Sequence, residues 1–320
     1  MNSVRLLLVD GHYYLYRSFF AIRDLKNSRG EPTNALFGFT KALRRMLADV
    51  RPDRAAVIWD RGIAARRSGL QPAYKAQRPP MPDDMKAQEK QMQDLVPLLG
   101  IASLWLPDTE ADDLIASYAT QHPGATIIAT NDKDILQLVN DRISIYSTNK
   151  ADLPEPDPAQ PKSAAPQFAL LGVEAVEKKW GVPPAQIADV LALTGDSSDN
   201  IPGVDGVGQK TAAALVRQFG SVEALLASPE KIASERTRAK VLEQRQRVID
   251  NRSMVGLDLD LALPRPIGAL TIAPRYPELI EAIRRYEFRG LLAEIEKESA
   301  AAAPSPAEPV PAKVEQAELF

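Results

Sequence analysis

Apolar residues enter this chain first as short unbroken runs and later as helical stripes, and that change of rhythm divides it. Val4-Arg5-Leu6-Leu7-Leu8-Val9-Asp10-Gly11 is an apolar run stopped by an acid and a glycine, the pattern of a buried parallel strand at its carboxyl end. Ala55-Ala56-Val57-Ile58-Trp59-Asp60 repeats it. Ala125-Thr126-Ile127-Ile128-Ala129-Thr130-Asn131-Asp132-Lys133-Asp134 does so a third time, and Ile143-Ser144-Ile145-Tyr146 reads as a fourth strand. Helical periodicity fills the intervals over 13–22, 35–50 and 83–99, so the first part is predicted to be α/β with a largely parallel wound sheet. Five prolines between residues 154 and 166 mark a surface excursion over 151–168. Beyond it helical patterns dominate, over 173–180, 187–194, 211–219, 222–226 and 237–251.

In a wound sheet, ligands bind beyond the carboxyl ends of the strands. Asp10, Asp60, Asp132 and Asp134 all fall there. Any one of them alone reads as an N-cap for the following helix. Three strands ending alike are harder to dismiss, because Thr109-Glu110-Ala111-Asp112-Asp113 adds three more carboxylates at a helix start. A helix N-terminus tolerates such charge. So many acids at one edge would still repel one another unless cations sat among them. The chain has no cysteine and only two histidines, His12 and His122, which excludes disulfides, zinc–thiolate sites, thiol nucleophiles and His-rich metal sites. Hard, oxygen-liganded ions such as Mg²⁺ or Mn²⁺ fit best, and two of them roughly 4 Å apart suit phosphodiester cleavage.

The 320 residues predict about two domains, and the 45% apolar and 25% charged shares are those of a soluble globular protein. No run approaches membrane-spanning length and none resembles a signal peptide, so the expected location is the cytoplasm. Between Asp60 and Pro107 the chain turns basic, with Arg61, Arg66, Arg67, Lys75, Arg78, Lys86 and Lys90, and Tyr74 stands beside Lys75. Such a segment serves either as a solvated loop or, placed directly after an active-edge acid, as a substrate handler: cations neutralise phosphates and a ring stacks on a base. Further on, Gly195-Asp196-Ser197-Ser198-Asp199-Asn200 sets two acids on one side of a turn or helix start. Gly203-Val204-Asp205-Gly206-Val207-Gly208-Gln209-Lys210-Thr211-Ala212 then suits a helix-hairpin-helix turn, whose bare N–H groups and Lys210 can meet a phosphate. Its glycine spacing is wrong for a nucleotide P-loop.

These strings, in this order over roughly residues 4–290, resemble the 5′-nuclease family: the N-terminal 5′→3′ exonuclease domain of bacterial DNA polymerase I and stand-alone flap endonucleases. The matching strings are Leu8-Val9-Asp10-Gly11, Trp59-Asp60, Tyr74-Lys75-Ala76-Gln77-Arg78, Glu110-Ala111-Asp112-Asp113, Thr130-Asn131-Asp132-Lys133-Asp134, Thr194-Gly195-Asp196-Ser197-Ser198-Asp199-Asn200 and the hairpin. With no polymerase segment following, the chain resembles the free-standing form. The resemblance implies a PIN-like nuclease domain over 1–172 with an arch region at about 61–106. A helical DNA-binding domain with the hairpin would then cover 173–298.

The resemblance further implies that Asp10, Asp60, Glu110, Asp112, Asp113, Asp132, Asp134, Asp196 and Asp199 hold two or three divalent ions. Lys75 and Arg78 would engage the scissile phosphate and Tyr74 would stack on a terminal base. Gly203, Gly206, Gly208, Lys210 and Thr211 would grip the duplex, often with a bound K⁺. The family's Phe-Arg pair reads Arg66-Arg67 here, and both are expected at the DNA. With nine acids assigned to metal, the net charge of −3 leaves the rest of the chain mildly basic, as a nucleic-acid binder requires.

The tail over 299–320 is rich in Ala, Pro and Glu and expected to be disordered. It ends in Gln316-Ala317-Glu318-Leu319-Phe320, similar to the peptide by which bacterial replication proteins dock on the sliding clamp; Leu319 and Phe320 would fill an apolar pocket and Gln316 bond its rim. The expected protein is therefore a monomeric, metal-dependent 5′→3′ exonuclease and flap endonuclease of primer removal and DNA repair. The alternatives are a related-fold ribonuclease and a non-catalytic DNA-binding module.

Overall fold

The computed structural model describes residues 4–155 and 166–302. Its strands are β1 (Arg5–Asp10), β2 (Arg54–Ile58), β3 (Ala102–Leu104), β4 (Ala125–Ala129), β5 (Ile143–Ser147) and β6 (Ala169–Leu171). Between them run α1 (Gly11–Ala21), α2 (Asn34–Val50), α3 (Ala65–Leu70), α4 (Asp83–Leu95) and α5 (Ala111–Gln121). After β6 come α6 (Val173–Trp180), α7 (Ile187–Thr194), the two-residue strands β7 (Gly195–Asp196) and β8 (Ile201–Pro202), α8 (Gln209–Phe219) and α9 (Val222–Ala227). The chain closes with α10 (Glu235–Glu243), α11 (Arg245–Val255), α12 (Tyr276–Arg285) and α13 (Arg289–Ala302).

The main sheet has the order β3-β2-β1-β4-β5-β6, parallel except for β6. This is the largely parallel wound sheet that the apolar runs predict. Its central strands end in step: Asp10 lies opposite Ile58 and Val9 opposite Ala129, so the acids that follow each strand emerge at one edge. Because successive strand side chains point to opposite faces, each run feeds two cores. Leu6, Leu8, Ile58 and Ile128 face a layer built from α5 and the helices α6 to α11. Leu7, Val9, Val57 and Ile127 face a second layer of α1, α2, α4, α12 and α13.

Helices of the part expected over 173–298 pack on both faces of the sheet, α6 to α11 on one and α12 and α13 on the other. The chain crosses after α11 along the sheet edge, where Ala55 N–H donates to the Leu270 carbonyl and Ala273 N–H to the Gly100 carbonyl. Leu279 and Ile283 of α12, with Leu291 and Ile295 of α13, then complete the second core. The single helix expected at 237–251 is broken at Gln244. There the side chain bonds both the backbone N–H and the carboxylate of Asp205, tying the helix junction to the glycine hairpin. Among the described residues no helix is long and apolar enough to cross a membrane.

Candidate metal centre and nucleic-acid interface

Each acid at the carboxyl edge is placed by the element it terminates or starts. Asp10 caps α1: one carboxylate oxygen accepts from Tyr13 N–H at 2.9 Å and the other from the Thr130 hydroxyl at 2.9 Å. Burial and the neighbouring Asp60 push its pKa up to about 6. Asp60, just past β2, accepts from Ala111 N–H at 2.8 Å and pairs with His12 Nδ1 at 3.0 Å. Burial opposes its charge, but the His12 hydrogen bond and charge hold Asp60 down at about 2.

Asp112 sits in the first turn of α5 and makes no hydrogen bond or ion pair among the described residues; burial and the charges of Asp132, Asp10 and Asp60 raise its pKa well above the carboxylate range. Asp132 and Asp134 follow β4, with Asp134 N–H bonded to Asp132 at 2.8 Å, and burial raises both carboxyls. The β7–β8 hairpin carries the last two acids, Asp196 and Asp199, both buried.

Asp134, Asp196 and Asp199 each bring a carboxylate oxygen within 4.8 Å of the others. The buried Oδ1 of Asp134 has no hydrogen-bond partner among the described residues. An orphaned oxygen inside an all-oxygen cluster of acids fits a hard divalent cation. In front of the cluster opens a cleft of about 640 Å³, lined by Asp10, Asp60, Asp112 and Asp132 with Lys75 and Arg78.

The cations at this edge are already engaged with carboxylates. The Lys75 ammonium bonds Glu110 and lies 3.8 Å from Asp199, while Arg78 pairs with Asp199. The Lys75 backbone has φ 55°, a conformation rare outside glycine, and is latched through its N–H to the Asp199 carbonyl at 3.1 Å. Gln71 and Gln77 donate to the carbonyls of Asn200 and Ser197, so the 71–78 turn lies on the acidic hairpin. The Arg78 side chain is 50% exposed and that of Lys75 15%.

Four of the residues expected at the metal or the DNA have partners within the protein. Asp113 is 0% exposed: its two oxygens take a bidentate pair from Arg67, and Asp258 N–H adds a third bond. Arg67, expected at the DNA, is buried, and its guanidinium is used up by Asp113, Glu110 and the carbonyls of Met254 and Gly256. Arg66 likewise donates to the carbonyls of Ser253 and Gly256, so this pair pins α3 to the end of α11. Tyr74, expected to stack on a base, is 8% exposed, and its hydroxyl donates toward Glu110 at 3.1 Å and Asp199 at 3.0 Å.

Gly203 is set by packing: a Cβ there would stand 2.1 Å from the Thr194 carbonyl oxygen, so the residue serves close backbone approach. Gly206, Gly208, Lys210 and Thr211 are exposed, and Gly208 opens α8 with no side-chain cap on its first-turn N–H groups. Gln316, Leu319 and Phe320 lie outside the described residues.

Three residues escaped the sequence reading. Lys133 lies between two cluster acids and pairs with Asp196 at 2.7 Å. Thr130 donates to Asp10. His12 contacts Asp60 and, through Nε2 at 3.4 Å, Glu89 of α4. Burial works against its charge, yet those bonds raise its pKa to about 10, making it an imidazolium at neutral pH. A signal existed for two of them. One of only two histidines stands two places after a strand-ending acid, and a lysine stands flanked by acids.

A family model described as 5′-3′ exonuclease, N-terminal resolvase-like domain, matches residues 5–181, and one described as 5′-3′ exonuclease, C-terminal SAM fold, matches 182–278. The chain is 35% identical over 300 residues to the 5′-3′ exonuclease of Aquifex aeolicus, covering 91% of this chain and 95% of that one. It is 36% identical over 312 residues to the thermostable DNA polymerase I of Thermus thermophilus, covering 96% of this chain and 34% of that protein; it spans about a third of the polymerases it matches. Among solved structures, T5 5′-exonuclease with bound divalent zinc superposes with a TM-score of 0.63 at 17% identity, over 94% of this chain and 100% of that one. The catalytic core of Rad2 in complex with DNA substrate gives 0.58 at 13%, over 93% and 92%. At such identities the likeness bears on the fold, a mostly parallel α/β sheet followed by helices.

Proposed function

This chain belongs to the 5′-3′ exonuclease family, and we propose that it hydrolyses DNA phosphodiesters at 5′ ends and 5′ flaps with two divalent ions, Mg²⁺ in the cell. The observation that carries the reading is the state of the acids: the Asp112 carboxylate makes no ion pair among the described residues and Asp134 keeps a buried oxygen without a partner. An unbalanced anionic cluster is costly unless cations complete it. Asp10, Asp60 and Asp112 would hold one ion, Asp134, Asp196 and Asp199 another, with Asp132 between. Ions bound there neutralise charge developing on the phosphodiester and strengthen water as a nucleophile.

The chain's own cations bind and orient the substrate. Arg78 and Lys75 sit over Asp199 and Glu110 at the mouth of the cleft, and a phosphate oxygen competes with those carboxylates for them. Glu110 acts through Lys75, and with Arg67 and Tyr74 it fixes where that ammonium stands. His12, between Asp60 at Nδ1 and Glu89 at Nε2, orients Asp60 and ties it to α4. The exposed start of α8 offers N–H groups and Lys210 to the duplex backbone. Primer removal and excision repair in the cytoplasm are the settings this activity would serve.

The test uses a 5′-labelled flap substrate with Mg²⁺, wild type against Asp112→Asn. Cleavage near the flap junction that is lost with EDTA and with the substitution supports the reading. Tight DNA binding without cleavage in Mg²⁺ or Mn²⁺ moves the assignment to a binding module, and cleavage of RNA alone moves it to a ribonuclease.

A further inference from the structure

A second cavity, of about 240 Å³, lies between α1, α2 and the end of β5 and shares no lining residue with the acidic cleft. Tyr14, Arg17, Ser18, Arg45, Tyr146 and Thr148 bring polar atoms to it, and no acidic side chain lines it. We propose that this cavity binds a terminal phosphate group, such as inorganic phosphate or a mononucleotide presents, at a site separate from the nuclease centre. The proposal does not depend on the nuclease reading.

Three hydroxyls on this cavity have no hydrogen-bond partner among the described residues, and two of them break a pattern kept elsewhere in the fold. A buried tyrosine ordinarily finds a partner for its O–H. Tyr74, Tyr118 and Tyr146 do so on Glu110, the Arg265 carbonyl and Asp49. Tyr14, only 3% exposed, does not. A buried helical serine or threonine ordinarily turns back to the carbonyl four residues earlier. Thr40 does this on Leu36 and Ser117 on Asp113. Ser18, 6% exposed, does not, and the lack of a side chain at Gly38 leaves its hydroxyl uncovered: a Cβ there would stand 3.1 Å from Ser18 Oγ. The third, Thr148 Oγ1 just beyond β5, is itself buried. Hydroxyls enclosed in this way are costly unless a ligand answers them.

The charge around the cavity selects an anion. Arg17 is exposed and makes no ion pair among the described residues; its guanidinium has one long bond, 3.4 Å to the Tyr13 hydroxyl, and lies 5.9 Å from the Tyr14 ring centre. The acid nearest the other arginine is already answered, since Asp49 pairs with Arg45 at 2.8 Å and accepts from Tyr146 at 2.9 Å. Three O–H donors beside one uncommitted guanidinium suit the several oxygens of a tetrahedral anion. The volume falls below the roughly 300–1,000 Å³ of pockets that enclose drug-sized ligands, so the cavity takes the phosphate and leaves a nucleoside outside. A backbone phosphodiester carries a sugar on each side and fits such an enclosure less well.

The experiment titrates inorganic phosphate, thymidine 5′-monophosphate and thymidine into the full chain by calorimetry, in EDTA at constant ionic strength. Phosphate should bind and thymidine should not; binding of the monophosphate extends the site to nucleotides, and its failure confines the site to the free ion, with the proposal upheld in both cases. Tyr14→Phe and Thr148→Val keep the shape and remove one hydroxyl each, so each should weaken phosphate binding by about 10-fold or more. Arg17→Gln should weaken it by a similar factor, and Arg17→Lys should recover part of the loss. Thermal melts check that the variants fold, and removing an orphaned hydroxyl should leave Tm equal or higher. Phosphate that binds the wild type and all these variants alike sits elsewhere, in the acidic cleft or as a general salt effect, and overturns the proposal. A wild type that binds no phosphate overturns it too; if its hold on duplex DNA then weakens with Thr148→Val, the cavity belongs to the DNA backbone.

Discussion

Asp112 and Asp113 are chain neighbours on the first turn of α5, and the fold treats them oppositely. Asp113 is fully enclosed, its charge matched by a bidentate arginine and a backbone N–H. Asp112, about 100° round the same helix, faces the charges of Asp132, Asp10 and Asp60 and makes no ion pair among the described residues. One acid is a finished internal ion pair. The other faces a cluster of acids for which we propose cations from outside. A run of acids in sequence therefore says that a charged edge exists, and the rotation of one helix decides which member is structural.

Breaking the finished pair should have the largest effect. Arg67→Met leaves Asp113 a buried carboxylate without its counter-ion and Glu110 with Lys75 alone, and such a loss costs about 3–5 kcal/mol. Urea denaturation would read it, with the wild-type m-value retained. A loss under about 1 kcal/mol would mean that water reaches the pair and that the enclosure described here is wrong.

Next comes the contrast itself. Asp112→Asn should lower flap cleavage by about 10³-fold, roughly 4 kcal/mol of barrier, with stability unchanged or improved because one repelling charge is gone. Asp113→Asn should do the reverse, costing about 1–3 kcal/mol of stability while cleavage at low temperature stays within a few-fold. Parallel rate and denaturation measurements separate the two; equal loss of activity would return Asp113 to the metal centre.

This pair also marks how far the sequence could be read. Asp10, Asp60 and Asp132 were legible because strand ends in a parallel sheet converge by topology, and the burial pattern of each strand is written in its own few residues. The Arg67–Asp113 pair was not, since it joins α3 to α5 across 46 positions, and local periodicity has no access to such a contact. Arg66 and Arg67 look like solvated basic residues until the carbonyls of α11 are seen to fold onto them. For the same reason α12 and α13 read as part of a helical domain. Their apolar stripes are visible locally, but which face of the sheet they cover is decided by the 256–275 crossing.

The unfinished centre should be sensitive to protons and metal. Asp10, raised to about 6 by burial and Asp60, and Asp112, Asp132 and Asp134, raised chiefly by burial, bind protons more tightly folded than unfolded. The native state therefore holds extra protons between about pH 4 and pH 6, and stability falls as pH rises through that window. In EDTA, Tm should be higher near pH 5 than near pH 6.5. Excess Mg²⁺ should reverse the order, because its ligands must be deprotonated, and at a hundred times its Kd it adds about 2.7 kcal/mol. A Tm in EDTA that climbs steadily from pH 5 to 6.5 would mean that the cluster is solvated and no centre is poised there.

The smallest expected effect concerns Tyr74, whose hydroxyl bridges Glu110 and Asp199 from an enclosed ring. If the residue works through that hydroxyl, Tyr74→Phe removes a shared donor worth about 0.5–1.5 kcal/mol, lowers cleavage by less than about 10-fold, and leaves KM for the flap unchanged. If instead the ring stacks on a base, Tyr74→Phe would be silent while Tyr74→Leu would raise KM, since the aromatic face is worth about 1–3 kcal/mol. Buried as it is, the ring should follow the first pattern. Tyr74→Leu would then lower stability through lost packing and leave KM where it was, which places Tyr74 with Arg67 among the supports of the centre rather than among its contacts with DNA.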